Sequence, residues 1–182
     1  MQINREWSMP SGNTFTIPPI KRLVEKCIAS LPQNYCIVDP FANKSKYGTI
    51  TNDLNPEFDT TFHMDALEFL KSLEKEKADM VLYDPPYSIT QAAQLYNDFG
   101  KDKLEISVAN MGYWAAIKDE IARVLKVGGV CISCGWNSNG IGKERYFEMK
   151  EILLVPHGGS KNDTIVTVEK KFAEQIDMFD LL

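Results

Sequence analysis

The stretch from residue 80 to residue 88, MVLYDPPYS, ends an apolar run with an acid, two prolines and a tyrosine. Each proline lacks an amide hydrogen and has a fixed φ angle, so the backbone of Pro85 and Pro86 is rigid. The Asp84 carboxylate and the Pro85 carbonyl then form two fixed acceptors, which suit a planar amino group with two hydrogens to donate. Tyr87 adds a flat face on which a base can stack, an interaction worth about 1–3 kcal/mol in nucleic-acid sites.

This arrangement of groups favours one kind of chemistry. An amine that gives both hydrogens to fixed acceptors gains electron density on its nitrogen and becomes a better nucleophile. Because the activated atom belongs to the substrate, no covalent intermediate with the protein is required. The motif therefore predicts a group transfer to an exocyclic amino nitrogen.

The elements that must position this motif alternate between strands and helices. Short apolar runs predict strands in YCIVDPF, GTITNDLN, ADMVLYDPP, VCISCGW, FEMKEILLVPHGG and DTIVTVEKK. Apolar residues at helical spacing predict helices in TFTIPPIKRLVEKCIASL, DALEFLKSLEKE and ISVANMGYWAAIKDEIARVLKVGG. Gly128 and Gly129 are predicted to end the third helix, and His157, Gly158 and Gly159 to form the turn between the last two strands.

Such alternation is typical of an α/β fold with a doubly wound, mostly parallel sheet, here ending in an antiparallel hairpin. Ligands of these sheets bind at the carboxyl ends of the strands. Three of the predicted strands carry an acid at that end, namely Asp39, Asp53 and Asp84. We therefore expect the functional site at this edge of the sheet.

The length of 182 residues suits one domain and is too short for two ordinary ones. We expect a single domain over 1–182, with an N-terminal extension at 1–13 and a C-terminal tail at 172–182. No apolar run reaches the roughly 18 residues of a membrane span, and the first residues lack the apolar segment of a signal peptide. These features predict a cytoplasmic protein that does not bind a membrane.

The cysteines and the net charge bear on whether the protein binds a metal or a nucleic acid. Cys131 and Cys134 have CxxC spacing, but zinc would need further ligands, and the chain has only two histidines, His63 and His157. We interpret all four cysteines as reduced, with this pair buried in a strand, and predict no metal site. The net charge of −5 counts mildly against nucleic acid, although NKSKYG and IGKER could form a basic patch in the fold.

DPPY at a strand end resembles the catalytic motif of the S-adenosylmethionine-dependent DNA methyltransferases that modify exocyclic nitrogens of adenine or cytosine. The order of the flanking segments strengthens this resemblance. VDPFANKSKYG is similar to the family's cofactor loop, ITNDLN to the strand whose acid holds the ribose, HMDALEFL to the segment near the cofactor adenine, and FTIPPIKRLV to the helix over the methionine moiety. The resemblance covers roughly residues 14 to 171 and implies a seven-stranded, Rossmann-like methyltransferase sheet.

The resemblance also implies a role for each matching residue. Asp53 would accept hydrogen bonds from the ribose of S-adenosylmethionine, Asp65 would lie near its adenine, and Asp39 at its methionine end. The whole implied cofactor set is Pro18, Asp39, Pro40, Phe41, Ala42, Asp53, Asp65 and Ala66. The implied catalytic set is Asp84, Pro85, Pro86 and Tyr87, which would hold the target base. If the target is duplex DNA, the base must first leave the stack.

Two features depart from the family's pattern. Asn43, Lys44 and Ser45 occupy loop positions where glycine is expected, although asparagine tolerates the left-handed conformation better than most residues. The family usually inserts a recognition domain, whereas here only a short helix separates HMDALEFL from MVLYDPPY. We therefore expect sequence-specific recognition either to come from short loops, a homodimer or a separate subunit, or to be absent. The predicted substrate-binding residues are Tyr87, Ser88, Trp136, Asn137, Asn139, Lys143 and Arg145.

The favoured target is adenine N6 in DNA, in a minimal form that resembles the orphan methylases of phages and prophages. Methylation of an amino group in RNA is the alternative enzyme reaction. A protein glutamine is a weaker choice, because that chemistry usually has asparagine at the position of Asp84. A catalytically idle binding subunit is a further alternative, favoured by the glycine-poor cofactor loop and disfavoured by the intact DPPY segment.

Overall fold

The computed structural model describes residues 1–87, 111–159 and 162–174. Within these residues, seven strands form one sheet: β1 (Gln2–Arg5), β2 (Ile37–Asp39), β3 (Ile50–Thr51), β4 (Ala78–Tyr83), β5 (Leu125–Gly135), β6 (Phe147–Val155) and β7 (Thr164–Lys171). The α-helices are α1 (Pro18–Ile28), α2 (Ala66–Ser72) and α3 (Met111–Val124), and single turns of 3-10 helix occur at Thr14–Thr16 and Lys143–Arg145.

The strand order in the sheet is β1-β6-β7-β5-β4-β2-β3. Strand β7 runs antiparallel to both of its neighbours, β5 and β6, while the other four neighbouring pairs are parallel. The predicted α/β class and the antiparallel hairpin at the end of the sheet are confirmed. The N-terminal segment, expected to be an extension, contributes an edge strand, since Gln2 pairs with Glu151 and Arg5 with Leu154.

The helices pack on opposite faces of the sheet. Helix α1 begins with Pro18, which suits a first helical turn because that position needs no amide hydrogen. Its buried side chains Ile20 and Val24 pack with Ile37 and Met80 of the central strands. Helices α2 and α3 pack on the other face, so the central strands are covered on both sides, as their fully buried β4 requires.

Helix α3 ends earlier than the sequence suggests. The prediction that Gly128 and Gly129 stop this helix is wrong, because the helix ends at Val124 and β5 begins at once. Leu125 already pairs with Ala78, and the register between β4 and β5 then shifts before Val130. Gly128 has a φ of +84° within this irregular part of the strand, so the glycines serve a strand irregularity rather than a helix end.

His157 has a different environment from the turn predicted for it. Gly158 and Gly159 do adopt positive φ angles, as a turn requires. The His157 ring is buried, however, and its two nitrogens lie 2.8 Å from the Ser8 carbonyl oxygen and 2.8 Å from Thr164 Oγ1. The histidine thus ties the N-terminal segment to the start of β7.

The cysteines of β5 lie where the sequence predicts. Cys131 and Cys134 are buried, and all four cysteines of the chain are free thiols. Burial raises the pKa of the Cys131 thiol, which keeps it protonated. Among the residues described, no helix combines the length and the apolar character that crossing a membrane takes.

Candidate active site

Four neighbouring parallel strands end at the same edge of the sheet. A polar or aromatic candidate residue lies at the end of each strand or just after it. In sheet order these strands are β3, β2, β4 and β5. Asp53 follows β3, Asp39 ends β2, Asp84 follows β4, and Trp136 follows β5. Parallel pairing places residues that are far apart in the sequence together at one edge, which is where ligands of such sheets bind.

A cavity of about 560 Å³ opens at this edge. Its volume lies within the range typical of small-molecule sites. It is lined by Gly12, Thr14, Pro40, Phe41, Asn43, Asn52, Asp53, Leu54, Asn55, Phe58, Met64, Ala66, Asp84, Pro85, Pro86 and Tyr87. Of the predicted cofactor residues, this cavity brings together Pro40, Phe41, Asp53 and Ala66 with the whole DPPY segment.

A smaller cavity of about 280 Å³ lies beyond the DPPY segment. It is lined by Tyr83, Pro85, Pro86, Tyr87, Trp114, Lys118, Ser133, Cys134, Gly135, Trp136, Asn137 and Gly140. Pro85, Pro86 and Tyr87 line both cavities, whereas Asp84 lines the larger one. The rigid proline segment is therefore a partition between two adjoining spaces.

The Asp84 carboxylate is bonded within its own motif. The Tyr87 hydroxyl donates a 2.6 Å hydrogen bond to Asp84 Oδ1, and Thr14 Oγ1 lies 3.5 Å from the same hydroxyl. Burial raises the pKa of Asp84, while the hydrogen bonds from Tyr87 and Thr14 lower it in part. Tyr87 thus presents both a ring and a hydroxyl to the site, and the hydroxyl occupies one of the two oxygens of the acid.

Asp39 is a fully buried acid at the end of β2. Its Oδ1 accepts a hydrogen bond of 3.3 Å from the Phe41 amide, while its Oδ2 has no hydrogen-bond partner. Burial and, secondarily, the negative charge of Asp84 raise the pKa of Asp39 to about 8. Asp39 therefore carries a proton at neutral pH as long as no cation lies beside it.

The cofactor-like loop adopts the backbone conformation that glycine would otherwise provide. Asn43 has a φ of +48°, so the expectation that asparagine replaces glycine in a left-handed position is confirmed. The Asn43 amide donates to Asp53 Oδ2 at 2.8 Å, and the Asn55 amide donates to Asp53 Oδ1 at 2.9 Å. Burial raises the pKa of Asp53, and these two donors oppose the rise.

Asn52 is a structural residue of the site that sequence reasoning missed. It is buried, and its side-chain nitrogen donates to the carbonyl oxygens of Pro40 at 3.1 Å and Met64 at 3.0 Å. Its side-chain oxygen accepts from the Met64 amide at 3.0 Å. Asn52 thereby joins the loop after β2 to the segment before α2. A polar residue one position beyond a short predicted strand was the available signal.

Asp65 caps α2, the structural role that aspartate favours at this position. Its Oδ1 accepts from the amides of Leu67 and Glu68, and its Oδ2 accepts from the Tyr113 hydroxyl at 2.7 Å. Its neighbours Met64 and Ala66 line the larger cavity, and Asp65 itself lies behind them.

Pro18 and Ala42, two more members of the implied cofactor set, also lie outside the lining of the larger cavity. Pro18 is the first residue of α1, and Ala42 is buried with its amide donating to the Asn52 carbonyl at 2.9 Å. Gly12 and Thr14, which precede α1, line the cavity instead. The N-terminal segment thus reaches the site through residues that the motif comparison did not select.

The loop after β5 brings two of the predicted substrate residues to the smaller cavity. The Trp136 and Tyr87 rings lie 5.9 Å apart at an interplanar angle of 71°, an edge-to-face contact. Asn137 lines the same cavity, and its side-chain oxygen accepts the Asn139 amide at 3.0 Å in a local turn.

The basic residues of this loop lie apart from both cavities. The Lys143 side chain is exposed. Arg145 forms an ion pair of 2.7 Å with Asp119 and donates to the Ile141 carbonyl at 3.2 Å. Arg145 thus organises the loop. Ser88 lies outside the described residues, as do residues 175–182 of the tail.

Helix α3 supplies two residues to the smaller cavity that sequence reasoning did not select. Trp114 and Lys118 stand four residues apart, which places them on one face of the helix. The Trp114 ring also lies 6.4 Å from the Phe41 ring of the larger cavity. No group of three His, Cys, Asp or Glu side chains positioned to hold a metal ion occurs among the described residues.

Comparison with known proteins supports the fold through structure alone. No family model and no curated protein matches the chain. TrmN from Thermus thermophilus has a TM-score of 0.53 and 15% identity, over 86% of this chain and 49% of that one. A Burkholderia thailandensis 1,6-didemethyltoxoflavin-N1-methyltransferase, solved with S-adenosylhomocysteine, has a TM-score of 0.54 and 12% identity, over 84% and 78%.

A third neighbour is an S-adenosylmethionine-dependent methyltransferase from Methanosarcina mazei. Its TM-score is 0.52 and its identity 13%, over 84% of this chain and 98% of that one. The chain therefore spans about half the length of the Thermus neighbour and nearly the whole of the Methanosarcina one. Together the neighbours and the sheet topology show that the fold is the Rossmann-like fold of S-adenosylmethionine-dependent methyltransferases.

Proposed function

We propose that this protein is an S-adenosylmethionine-dependent methyltransferase that modifies an exocyclic amino nitrogen of a nucleobase, with adenine N6 in DNA as the first target. One observation carries this proposal. Pro85, Pro86 and Tyr87 line both cavities, so a rigid segment with acceptor groups lies where a cofactor in one space would meet an acceptor in the other.

The larger cavity fits the cofactor in size and in the chemistry of its lining. Asp53 lies at one side of it, and the apolar side chains of Phe58 and Met64 offer surfaces for a base. Next to the lining, Asp39 is a fully buried acid whose pKa is raised by burial, and a positive charge in the cavity would favour its ionised form. When bound, S-adenosylmethionine supplies an activated methyl group attached to a sulfonium.

The smaller cavity fits a flat acceptor. Tyr87 and Trp136 provide aromatic surfaces, and Ser133 and Asn137 provide hydrogen-bonding groups. A space of about 280 Å³ has room for one nucleobase. A duplex substrate would therefore have to extrude its target base.

Asp84 and the Pro85 carbonyl orient the acceptor amine. Bound S-adenosylmethionine would supply the methyl group that this nitrogen accepts. The surplus proton on nitrogen passes to the Asp84 carboxylate, whose raised pKa suits it to receive a proton. Fixed acceptors that need no rearrangement supply most of the catalysis.

The proposal is tested by a radiolabelled methyl-transfer assay with DNA, RNA and protein acceptors, followed by nucleoside analysis. We expect label in N6-methyladenine from DNA, and loss of label when Asp84 is replaced by asparagine. Label in RNA alone would show that the substrate is RNA and not DNA. The absence of transfer to every acceptor, together with no cofactor binding by calorimetry at millimolar concentration, would refute the proposal and favour the idle binding subunit.

A further inference from the structure

A buried acid of β7, the strand next to β5, binds the backbone of the loop at 136–142. Glu169 lies on β7 and is only 2% exposed. Its Oε2 accepts a hydrogen bond of 2.6 Å from the Ile141 amide, and its Oε1 accepts one of 3.2 Å from the Gly142 amide. A single carboxylate thus binds two consecutive backbone amides of the loop.

Two cations bind the carbonyl oxygens of the same short segment. Lys118 Nζ donates to the Gly140 carbonyl at 2.5 Å, and Arg145 donates to the Ile141 carbonyl at 3.2 Å. The negative charge of Glu169 and the positive charge of Lys118 also attract each other. Side chains from β7, α3 and the turn after the loop therefore fix both the amides and the carbonyls of residues 140–142.

The loop is shaped to fit this carboxylate closely. Gly140 has a φ of +57°, and a Cβ atom built there would lie 2.1 Å from Glu169 Oε2. Gly142 has a φ of +111°, a conformation that side chains rarely permit. The positive φ angles of both residues therefore favour glycine where the backbone passes the acid.

Burying an acid costs free energy, because the carboxylate loses its hydration. Burial raises the pKa of Glu169, and the two amides and Lys118 offset this cost only in part. Replacing buried charged groups by apolar residues is often neutral or stabilising, so a stability role alone does not account for such a group. What the acid does secure is a single position for the loop that carries Trp136 and Asn137 into the smaller cavity.

We propose that Glu169 is a positioning residue that holds the 136–142 loop so that Trp136 stands edge-on to Tyr87, which sets the smaller cavity to the size of one flat heterocycle. Glu169 acts through the loop and does not contact the acceptor. This inference rests on the proposed function, because it takes the smaller cavity as the acceptor site.

The test is Glu169→Gln, which keeps the size of the side chain but replaces one acceptor oxygen by an NH2 group. This NH2 group cannot accept the hydrogen bond from the backbone N–H of the loop. Lys171→Met is the matched control. Lys171 is a buried charge two residues along the same strand, and it donates to the Leu125 carbonyl at 2.8 Å, away from the loop. We expect Glu169→Gln to raise the KM for the acceptor at least tenfold while the cofactor Kd stays within twofold. Lys171→Met, which removes a buried charge from the same strand, should change neither constant.

A second measurement does not depend on activity. The chain has three tryptophans, so 5-fluorotryptophan labelling gives three fluorine resonances, and Trp136→Phe assigns one of them. In Glu169→Gln the Trp136 resonance should shift more than that of Trp114, which lines the same cavity, while the Trp7 resonance should not shift. Gly140→Ala, whose Cβ would displace the loop from Glu169, should act in the same way and replaces Glu169→Gln if that variant does not fold.

The outcomes separate this inference from the proposed function. An unchanged Trp136 resonance or an unchanged acceptor KM in the variant would overturn the positioning role. An equal rise of the acceptor KM in Lys171→Met would overturn it as well, since the effect would then follow from general destabilisation. If the wild-type protein methylates no base, the proposed function fails on its own, and the fluorine spectra still decide whether Glu169 fixes the loop.

Discussion

The Tyr87 hydroxyl donates a 2.6 Å hydrogen bond to Asp84 Oδ1, so the aromatic ring of the motif is tied to its acid. Sequence comparison assigns stacking to Tyr87 and hydrogen bonding to Asp84. In the structure the two roles are linked, because the phenol both orients the carboxylate and lowers its pKa against the effect of burial. An amine that enters the site meets an acid already held in place.

Tyr87→Phe should retain stacking and lose this hydrogen bond. Without the phenol the pKa of Asp84 rises further, because burial favours the neutral acid. The ionised form needed to accept the amine hydrogens then requires a higher pH. We expect the acid limb of the kcat/KM profile to move to higher pH, with a modest loss at the optimum. Tyr87→Ala should lower kcat/KM by a further factor of about 5 to 150, which corresponds to the 1–3 kcal/mol of stacking. An acid limb at the wild-type pH in Tyr87→Phe would contradict the link.

Asp84→Asn should lower kcat by about 10²–10³, the usual cost of removing a fixed polar group that acts in the transition state. Cofactor binding should change little, because Asp84, although it lines the larger cavity, is proposed to hold the acceptor amine rather than the cofactor. Asp84 also raises the pKa of Asp39, so the cofactor Kd is best compared by calorimetry above pH 8, where Asp39 is ionised in both proteins. A parallel loss of binding and turnover at that pH would show that Asp84 belongs to the cofactor site.

Asp39 should make cofactor binding depend on pH. The acid is neutral below about pH 8 in the free protein, and a cationic ligand favours its ionised form, so binding releases a proton. As the pH rises towards 8, the cofactor Kd should fall by up to about tenfold per pH unit. Above pH 8 it should level off. Asp39→Asn should bind more weakly and with a flat profile. Calorimetry in buffers of different ionisation enthalpy measures the proton release directly, and its absence would rule out this coupling.

The same acid should limit the stability of the free protein. The pKa of Asp39 is raised from 3.8 to about 8, so the folded state holds a proton that the unfolded state loses above about pH 4. The contribution of Asp39 to stability is therefore complete below about pH 4 and is lost as the pH rises to 8. Asp39→Asn should have a higher free energy of unfolding than the wild type at pH 8, measured by urea denaturation without cofactor, and the difference should shrink towards pH 4.

Asn43 should be replaceable by glycine and not by a β-branched residue. Its φ of +48° is free of cost for glycine and strained for valine by about 1–3 kcal/mol. Asn43→Gly loses the 3.2 Å bond to the Gly12 carbonyl, so we expect a free energy of unfolding within about 1 kcal/mol of the wild type and a Kd within a few-fold. Asn43→Val should lose stability and cofactor affinity together. Equal behaviour of the two variants would show that the left-handed backbone is unimportant here.

Much of the fold follows from the sequence, because local patterns decide it. Apolar runs of strand length and Pro18 at the start of α1 are visible in the chain and survive in the structure. The end of α3 was missed because pairing of Leu125 with Ala78 on β4 overrides the local preference of the glycines. The edge strand β1 was missed because a four-residue polar segment shows no pattern of its own until β6 pairs with it.

The sequence by itself determined which groups can act. The residue types and spacing of the DPPY segment and of the acids at the strand ends indicate the chemistry that they can perform. Only the tertiary structure decided what surrounds them. The unpartnered oxygen of Asp39, the cap made by Asp65 and the hold of Glu169 on the 136–142 loop all depend on contacts between distant segments. Burial and hydrogen bonding set the charge and the position of an acid, and neither can be read from its neighbours in the chain.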